Sequence, residues 1–377
     1  MMLTCSRCGR NVDESSLLWR CPCGGVLEWI SAKPLSRAAI RPEEGGIWRY
    51  ASSLPPSSPD LRVSMGEGGT PLVQMDWSGV TVWLKLDYLC PTGSYKDRGM
   101  ACMLSRLKEL GVREVIEDSS GNAGASMAAY CAAAGIRCKV FVPEYTSRGK
   151  CAQIVSSGAE LVKVPGSRED AARAAKDAAA TAFYASHNWS PYFAHGVKTF
   201  AFEVWESLGF RAPDALLLPA GQGSLVLGCA LAFYELLASG EIDRVPRIYA
   251  LQAERCSPLE IAFREGRAEV GDYEKGETIA EGISSAAPVR GKRVLEVVRD
   301  SGGSVRSYSE RKIWDGFIKL AGRGLYVEPT SAVVGAAMDD LVSRGEIRED
   351  EIVVSLLSGS GLKATDKIVS LFDHPPA

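Results

Sequence analysis

From Met65 onward, short apolar or β-branched runs alternate with amphipathic stretches of helical period, and this alternation constrains the fold more than any other feature. The predicted strands are Thr81–Leu86, Glu114–Glu117, Lys139–Val142, Leu161–Val164, Ala215–Leu218, Ile248–Gln252 and Ile352–Leu357. The predicted helices are Gly99–Leu110, Ala123–Ala134, Arg148–Ser156, Arg168–Ala180, Gly196–Leu208, Leu225–Leu237, Glu310–Ala321 and Ala332–Ser343. Such alternation through short turns is typical of α/β proteins with open, doubly wound sheets.

Composition and charge exclude several classes of protein. The 377 residues are 46% hydrophobic and 24% charged, and the net charge of −3 provides no basic surface for nucleic acid or an anionic membrane. The longest apolar run, 215–237, is interrupted by Pro219 and three glycines, so no membrane span is predicted. Arg7 and Arg10 stand where a secretory signal requires an apolar core, and we therefore expect a cytoplasmic protein.

One lysine, Lys96, stands in a context that favours covalent chemistry. It lies between the turn residues Gly93-Ser94 and the run Asp97-Arg98-Gly99, which opens a predicted helix. A lysine amine condenses with an aldehyde cofactor once burial or a cationic neighbour has deprotonated it. Lys96 is therefore the candidate catalytic residue and the candidate point of attachment for such a cofactor.

Three further loops follow predicted strands and carry small or polar residues that suit anionic ligands. They are Ser119-Ser120-Gly121-Asn122, Gly221-Gln222-Gly223-Ser224-Leu225 and the segment that begins at Ser358. Backbone N–H groups at the start of a helix bind carboxylates and phosphates, and glycines let the backbone approach them closely. Each loop alone also fits a structural role, namely a strand–helix turn for the first two and a helix N-cap for Ser358.

The four segments together resemble a known family. The carboxyl ends of strands are where open α/β sheets bind ligands, and the order of lysine, asparagine loop, glycine loop and serine is the order of that family. Residues 65–370 resemble pyridoxal-phosphate (PLP) enzymes of fold type II, and threonine synthases in particular. The motifs that carry the resemblance are Gly66-Glu67-Gly68-Gly69-Thr70-Pro71-Leu72, Ser94-Tyr95-Lys96-Asp97-Arg98-Gly99-Met100, Val327-Glu328-Pro329-Thr330-Ser331-Ala332 and Ser358–Lys363.

The resemblance implies a fold and a division into domains. It implies two open, doubly wound α/β domains with the cofactor between them, and a homodimer is common in the family. We expect residues 65–96 and 196–377 to form the large PLP-binding domain and residues 97–195 a smaller, mobile one. Residues 1–30 are expected to form a small zinc-ribbon-like segment, and residues 31–64, rich in Pro and Ser, a connector on the surface.

The resemblance also implies roles for individual residues. Lys96 would form a Schiff base with PLP, and Asn122 would orient the cofactor ring. Ser119, Ser120, Gly121 and Asn122 would bind the carboxylate of an amino-acid substrate. Gly221, Gln222, Gly223, Ser224 and Leu225 would bind the cofactor phosphate, and the hydroxyl of Ser358 would meet the pyridine nitrogen.

Four cysteines near the N-terminus predict a structural zinc site. Two residues stand between Cys5 and Cys8. About a dozen residues further on, one residue stands between Cys21 and Cys23. Four thiolates can close a tetrahedral zinc site, although knuckles usually have at least two residues between paired cysteines. The alternative is a ribbon that has lost its metal. We expect any ion here to be structural and far from the chemistry.

Several positions depart from threonine synthase. The family has a phosphate-binding arginine where this chain has Phe193, and an aromatic ring cannot make charge-assisted bonds to a dianion. Ser360 replaces a family histidine, and Gln222 and Ser224 alter the glycine loop. His187 and His195 are candidates for substrate binding or proton transfer, but histidines in these contexts are more often packed against the core or at a helix end.

Three functions remain open from the sequence. The first is a threonine-synthase-like lyase that converts O-phosphohomoserine into threonine and phosphate. The second is a β-replacement or β-elimination enzyme on phosphoserine, serine or threonine, as in cysteate synthase, phosphoserine sulfhydrylase and serine/threonine dehydratase; the segment Thr278–Ile283 resembles the last. The third is a PLP-binding regulatory protein without catalytic activity.

Overall fold

The computed structural model describes residues 2–30, 33–146 and 148–376, which form two compact units. The first unit comprises the described parts of Met1–Gly68 and Cys90–Thr199, and the second those of Gly69–Leu89 and Phe200–Ala377. The borders between the two units therefore differ from the borders predicted at 96/97 and 195/196. The division into a large PLP-binding domain and a smaller, mobile domain stays a prediction. Lys96 lies in the first unit.

The helices and strands follow one another in the alternating order that the sequence indicated. The strands are β1 (Met2–Cys5), β2 (Asn11–Asp13), β3 (Leu27–Trp29), β4 (Leu72–Trp77), β5 (Val80–Lys85), β6 (Glu114–Glu117), β7 (Arg137–Pro143), β8 (Glu160–Val164), β9 (Phe183–Tyr184), β10 (Ala215–Pro219), β11 (Arg247–Ala253), β12 (Ser304–Tyr308) and β13 (Val353–Leu356). The α-helices are α1 (Lys96–Glu109), α2 (Asn122–Ala134), α3 (Arg148–Ser156), α4 (Arg168–Ala178), α5 (Phe193–Val197), α6 (Thr199–Ser207), α7 (Ser224–Ala238), α8 (Pro258–Arg264), α9 (Gly291–Asp300), α10 (Glu310–Ala321), α11 (Pro329–Ser343) and α12 (Thr365–Asp373).

The first unit contains two sheets. A small antiparallel sheet, in the order β2-β1-β3, is formed by the N-terminal residues that carry the cysteines. A parallel sheet follows in the order β8-β7-β6-β9. Helix α2 is rich in alanine, which has the highest helix propensity, and it ends at Gly135, whose φ of 69° is the left-handed conformation typical of a helix C-terminus.

The second unit is built on a six-stranded sheet in the order β12-β11-β10-β13-β5-β4. All neighbouring strands are parallel except β4 and β5, which form an antiparallel hairpin. The two residues between them, Ser78 and Gly79, have φ angles of 56° and 87°. Positive φ angles at both central residues are typical of a two-residue type I′ hairpin turn. All five residues of β10 are buried, because parallel strands are covered on both faces.

The α/β fold class predicted from the sequence is confirmed, and several details differ. The predicted helix over residues 196–208 is divided into α5 and α6 at Lys198. The segment 31–64, expected to lie on the surface, instead buries Ile47 and Tyr50 completely, because its short 3₁₀ helix Gly46–Ser53 turns apolar side chains inward. Within the described residues, no helix combines the length and the apolar character needed to cross a membrane.

Candidate active site

Lys96 is the first residue of α1 and is half-buried. Its Nζ donates a hydrogen bond of 2.8 Å to the hydroxyl of Tyr95, and it lies 5.6 Å from the centre of the Phe193 ring. Phe193 in turn packs against Gly99 so closely that a β-carbon on Gly99 would lie 2.3 Å from the ring. The amine therefore lies in a mainly aromatic environment but remains accessible.

The turn before Lys96 is held by its neighbour Asp97, which is fully buried. The Asp97 carboxylate accepts hydrogen bonds from the backbone N–H of Thr92 at 2.7 Å, from the Thr92 hydroxyl at 2.5 Å and from the hydroxyl of Ser126 in α2 at 2.6 Å. Charge-assisted bonds of this kind are about twice as strong as neutral ones. They fix the start of α1, and with it the direction of the lysine side chain.

Two other lysines, Lys85 and Lys198, are each committed to buried contacts. Lys85 is 1% exposed, and its Nζ lies 2.6 Å from a carboxylate oxygen of Glu203 and 2.5 Å from the carbonyl oxygen of Thr70. Lys198 is fully buried, and its Nζ donates to the carbonyl oxygen of Ser53 at 2.6 Å. Removing either amine from its partner would leave a buried polar group unpaired, whereas Lys96 carries no such constraint.

The loop Ser119–Asn122 connects β6 to the N-terminus of α2. Ser119 is buried, whereas Ser120 and Asn122 are half-buried and Gly121 is exposed. The helix approaches the loop so closely that a β-carbon on Gly124 would lie 1.8 Å from the carbonyl oxygen of Ser119. The first N–H groups of a helix have no partner within it, so this loop presents donors that suit a carboxylate.

A buried acidic pair lies directly before this loop, and the sequence analysis missed it. Glu117 is fully buried and Asp118 is 8% exposed; the Tyr184 hydroxyl donates to Asp118 at 3.1 Å, and His187 Nδ1 lies 3.4 Å from Glu117. Burial raises the pKa of both carboxyl groups. The only sequence signal was a pair of acidic residues at the end of an apolar strand, a position that is usually solvated.

His187 is packed in the core of the first unit, as the structural interpretation of this residue expected. Its ring centre is 5.5 Å from that of Phe193. Burial, and then the positive charge of Lys96, lower the pKa of His187 well below 6.5. The histidine is therefore neutral at physiological pH.

The depressed pKa of His187 predicts a loss of stability in acid. Below about pH 6.5 the unfolded chain binds a proton that the folded protein does not, so the free energy of unfolding falls as the pH falls. We expect His187 to contribute a slope of up to about 1.4 kcal/mol per pH unit between about pH 6.5 and 5, and this contribution to be lost in His187→Asn, whereas the raised pKa values of Glu117 and Asp118 contribute with the opposite sign in both proteins. Urea unfolding of both proteins across this range measures the difference; equal slopes would contradict the assignment.

His195 serves a structural contact in the first unit. Its Nε2 lies 3.0 Å from the backbone carbonyl oxygen of Trp29 at the end of β3, and the two rings meet edge to face at 4.7 Å. His195 is 3% exposed. These contacts favour a structural role for His195, which the sequence indicated as a histidine at a helix end.

In the second unit, the glycine loop joins β10 to the N-terminus of α7. Gly223 has a φ of +86°, and a β-carbon there would lie 2.2 Å from Cγ2 of Val294. A β-carbon on Gly221 would lie 2.8 Å from the Cα of Ile283. Only glycines fit at these two positions, and the N–H groups that begin the 15-residue helix can bind a phosphate. The loop therefore fits the phosphate of the cofactor that the resemblance implies.

The side chain of Gln222 is used within the second unit. Its amide nitrogen donates to the Ser285 hydroxyl at 2.8 Å, and its amide oxygen accepts from the Val289 N–H at 2.9 Å. Gln222 therefore holds the neighbouring segment against the glycine loop, and its backbone N–H is the group that is left for a phosphate.

Ser358 lies directly beside a second serine that the sequence analysis did not assign to the site. The hydroxyls of Ser358 and Ser331 are 2.9 Å apart, and the Ser331 hydroxyl also accepts the N–H groups of Ser358 and Gly359 at 3.0 and 2.9 Å. Ser331 lies in the first turn of α11. The Ser331 hydroxyl also lies 3.3 Å from the carbonyl oxygen of Gly359, to which it can donate, and either hydroxyl can be the donor between Ser331 and Ser358.

The four N-terminal cysteines lie together in the small antiparallel sheet. All four sulfur atoms are within 4.8 Å of one another, with Cys5 and Cys23 at 3.5 Å and Cys8 and Cys21 at 3.8 Å. Four sulfurs bound to one zinc ion at about 2.3 Å lie about 3.8 Å apart, so the arrangement fits a tetrahedral ion.

The protonation of Cys5 also suits a metal ligand. Burial by itself would raise the pKa of Cys5, but the backbone N–H groups of Cys8 and Arg7 donate to its sulfur and the pKa falls to about 7. Gly25 faces this sulfur, and a β-carbon there would lie 2.6 Å from it. The thiolate form, which is the form that binds metals, is therefore favoured at Cys5.

Comparison with known proteins agrees with the site geometry. The family model described as pyridoxal-phosphate dependent enzyme matches residues 63–359. Threonine synthase from Methanocaldococcus jannaschii is 34% identical, with 100% of this chain and 96% of the relative covered; that from Methanosarcina acetivorans is 31% identical, with 99% and 95% covered.

A solved structure shares the fold at low sequence identity. A fungal L-serine ammonia-lyase from Rhizomucor miehei superposes with a TM-score of 0.68 and 21% identity, covering 80% of this chain and 97% of that one. The predicted family and fold type are confirmed. A lysine that begins a helix after a Gly-Ser turn, a glycine loop at a second helix N-terminus and near full-length similarity lead to one conclusion: this chain belongs to the pyridoxal-phosphate dependent enzymes of fold type II, in the threonine-synthase-like group.

Proposed function

We propose that this enzyme is a PLP-dependent lyase that converts O-phosphohomoserine into threonine and phosphate. The single observation that carries the proposal is Lys96, half-buried at the start of α1 and bonded only to the Tyr95 hydroxyl among the described contacts of its Nζ. The similarity to threonine synthases over nearly the whole chain supports the choice of substrate.

The proposal assigns a task to residues of each unit. Bound PLP would supply an electron sink for negative charge at the α-carbon of an amino acid. Lys96 Nζ would hold the cofactor and, as general base and acid, take up and return the substrate protons. Asn122 would orient the ring, and the N–H groups of Ser119, Ser120 and Gly121 would bind the substrate carboxylate.

Residues of the second unit are proposed to bind other parts of the cofactor. The backbone N–H groups of 221–225 would bind the cofactor phosphate at the start of α7. Ser358, whose hydroxyl lies 2.9 Å from that of Ser331, would donate its hydrogen to the pyridine nitrogen. A hydroxyl partner leaves that nitrogen largely neutral, where a carboxylate would keep it protonated.

A second candidate function is favoured by the ring of Phe193. This apolar side chain lies beside Lys96, where the resemblance to threonine synthase would place a cationic group for the substrate phosphate. An aromatic ring makes no charge-assisted bond to a dianion. β-Elimination or β-replacement on serine, threonine or phosphoserine is therefore the alternative.

A panel of amino acids separates these functions. Purified enzyme loaded with PLP is incubated with O-phosphohomoserine, O-phosphoserine, serine and threonine, and the products are identified. Threonine with phosphate is the expected result; a keto acid with ammonia, or a β-substituted alanine, would establish the alternative instead. No product and no change in the cofactor spectrum with any compound would mean that the chain binds PLP without catalysis.

The proposal includes a structural zinc ion held by Cys5, Cys8, Cys21 and Cys23. The sulfur distances and the lowered pKa of Cys5 support it. Binding free energy at such a site contributes directly to folding, because the site does not exist in the unfolded chain.

Zinc binding gives a separate prediction. We expect about one equivalent of zinc per chain by elemental analysis, and a lower melting temperature after chelation or in Cys5→Ser. Cys151→Ser, which removes a buried thiol outside the cluster, should keep its zinc and serves as the control. Full metal content in Cys5→Ser would rule out this ligand set.

Two further properties complete the proposal: the subunit number, which follows from the resemblance, and the compartment, which follows from the cysteines. We propose that the enzyme works in the cytoplasm as a homodimer on a small amino-acid substrate. The eleven cysteines are all free thiols, which supports a reducing compartment. Light scattering of the purified protein measures the subunit number, and a monomer at working concentration would contradict the dimer.

A further inference from the structure

The cysteine-bearing segment of residues 2–30, here called the ribbon, makes aromatic contacts with the rest of the first unit. Trp29 ends strand β3, and its ring and carbonyl oxygen both contact His195 of α5. Trp19 meets the ring of Tyr184 at 4.8 Å and that of Trp189 at 5.3 Å, edge to face in both cases. Aromatic pairs of this kind stabilise a contact beyond the effect of the area that they bury.

A buried ion pair adds a further contact. The carboxylate of Glu14, in the turn after β2, lies 2.5 Å from a guanidinium nitrogen of Arg106 in α1, and both side chains are less than a tenth exposed. Removing one partner of such a pair leaves an uncompensated buried charge and is strongly destabilising. The ribbon is therefore attached to the helix that begins with Lys96 as well as to α5.

A short series of contacts connects the ribbon with the surroundings of Lys96. His195 is two residues from Phe193 in the same helical turn, and the Phe193 ring lies 5.6 Å from Lys96 Nζ. Tyr184, which contacts Trp19, donates a hydrogen bond to Asp118, the residue directly before the loop Ser119–Asn122. In the ribbon itself, Trp29 and Cys5 lie on strands β3 and β1, which pair directly.

We propose that the metal-loaded ribbon positions α5, with Trp29 as the positioning residue and Phe193 as the group that it places beside Lys96. The inference rests on the proposed zinc site and on Lys96 as the reactive lysine, but not on the identity of the substrate. It adds a positioning effect to the expected role of the ion, which was structural and far from the chemistry. Losing zinc loosens residues 187–199 and weakens substrate binding, while PLP stays attached at Lys96.

Amide hydrogen exchange on the PLP-loaded enzyme tests the proposal without any substrate. Peptides that cover 187–199 should lose protection by about tenfold or more after zinc is chelated, and equally in zinc-loaded Trp29→Ala, whereas α7 in the second unit should not change. Trp29→Phe keeps a ring against His195 and should retain most of the protection. Leu18→Ala, at an exposed ribbon position, is the matched control and should behave as the wild type.

The kinetic readout separates positioning from general instability. In Trp29→Ala we expect KM to rise by about fivefold or more with kcat nearly unchanged, and the visible absorbance of the cofactor to be retained. Unchanged exchange in 187–199 after chelation would overturn the proposal, as would equal loss of protection in α7 or the absence of bound zinc. If none of the tested amino acids turns over, the proposed function fails, but the exchange experiment still decides this inference.

Discussion

Replacing Lys96 by alanine should abolish the visible absorbance of the Schiff base between this lysine and PLP and lower kcat by about 10²–10⁴-fold, the range that a proton-transfer group contributes. The reason is that Lys96 is half-buried and accessible, whereas the amines of Lys85 and Lys198 are held in buried contacts. Borohydride reduction followed by mass spectrometry should find the pyridoxyl group on the peptide that contains residue 96.

The control for this experiment is Lys108→Ala, which removes a half-buried lysine from the last turn of the same helix. It should keep the absorbance and nearly all of the activity. A pyridoxyl group on Lys85 or Lys198 in the wild-type enzyme would overturn the assignment of Lys96, and with it the proposed roles of the residues around it.

The second large effect is expected from Gly223→Ala in the glycine loop. The alanine would have a φ of +86°, and its β-carbon would lie 2.2 Å from Val294 Cγ2, so the loop and its N–H groups must shift. Overpacking of this kind costs about 1–3 kcal/mol, and the left-handed conformation adds about 1–2 kcal/mol. We expect the dissociation constant for PLP, titrated by absorbance, to rise by about tenfold or more.

Two further variants separate the causes of this effect. Val294→Ala combined with Gly223→Ala removes the clash but not the backbone strain, and should recover part of the affinity. Gly240→Ala, just after the other end of α7, has a φ of +73° and no neighbour within 4 Å, so it should cost stability without changing PLP affinity. Wild-type affinity in Gly223→Ala would mean that the phosphate is bound elsewhere.

Much of the architecture could be predicted from local pattern. The strands β6 and β10 and the helices α2 and α10 lie within a residue or two of their predicted bounds, because burial imposes a period of two or 3.6 on the sequence. The edge strands β4 and β12 were missed. An edge strand is paired on one side only, and its sequence is correspondingly less apolar.

The pairing of distant residues could not be predicted in this way. Ser331 meets Ser358 because α11 and the end of β13 pack in the same unit, 27 residues apart in the chain. Glu117 and His187 come together over 70 residues, and Trp29 reaches His195 over 166. The periodicity of apolar residues along one helix or strand does not indicate which distant side chains will be in contact after folding.

The sequence by itself therefore determined the class of fold and indicated a candidate lysine and the loops that suit anionic groups, since each depends on residues adjacent in the chain. The tertiary structure decided what surrounds them: an aromatic ring beside Lys96, a neutral histidine against a buried carboxyl group, and a cysteine ribbon attached to α5. The physical reason is that pKa values and packing depend on burial and neighbours, and these are set by contacts between segments that are distant in the sequence.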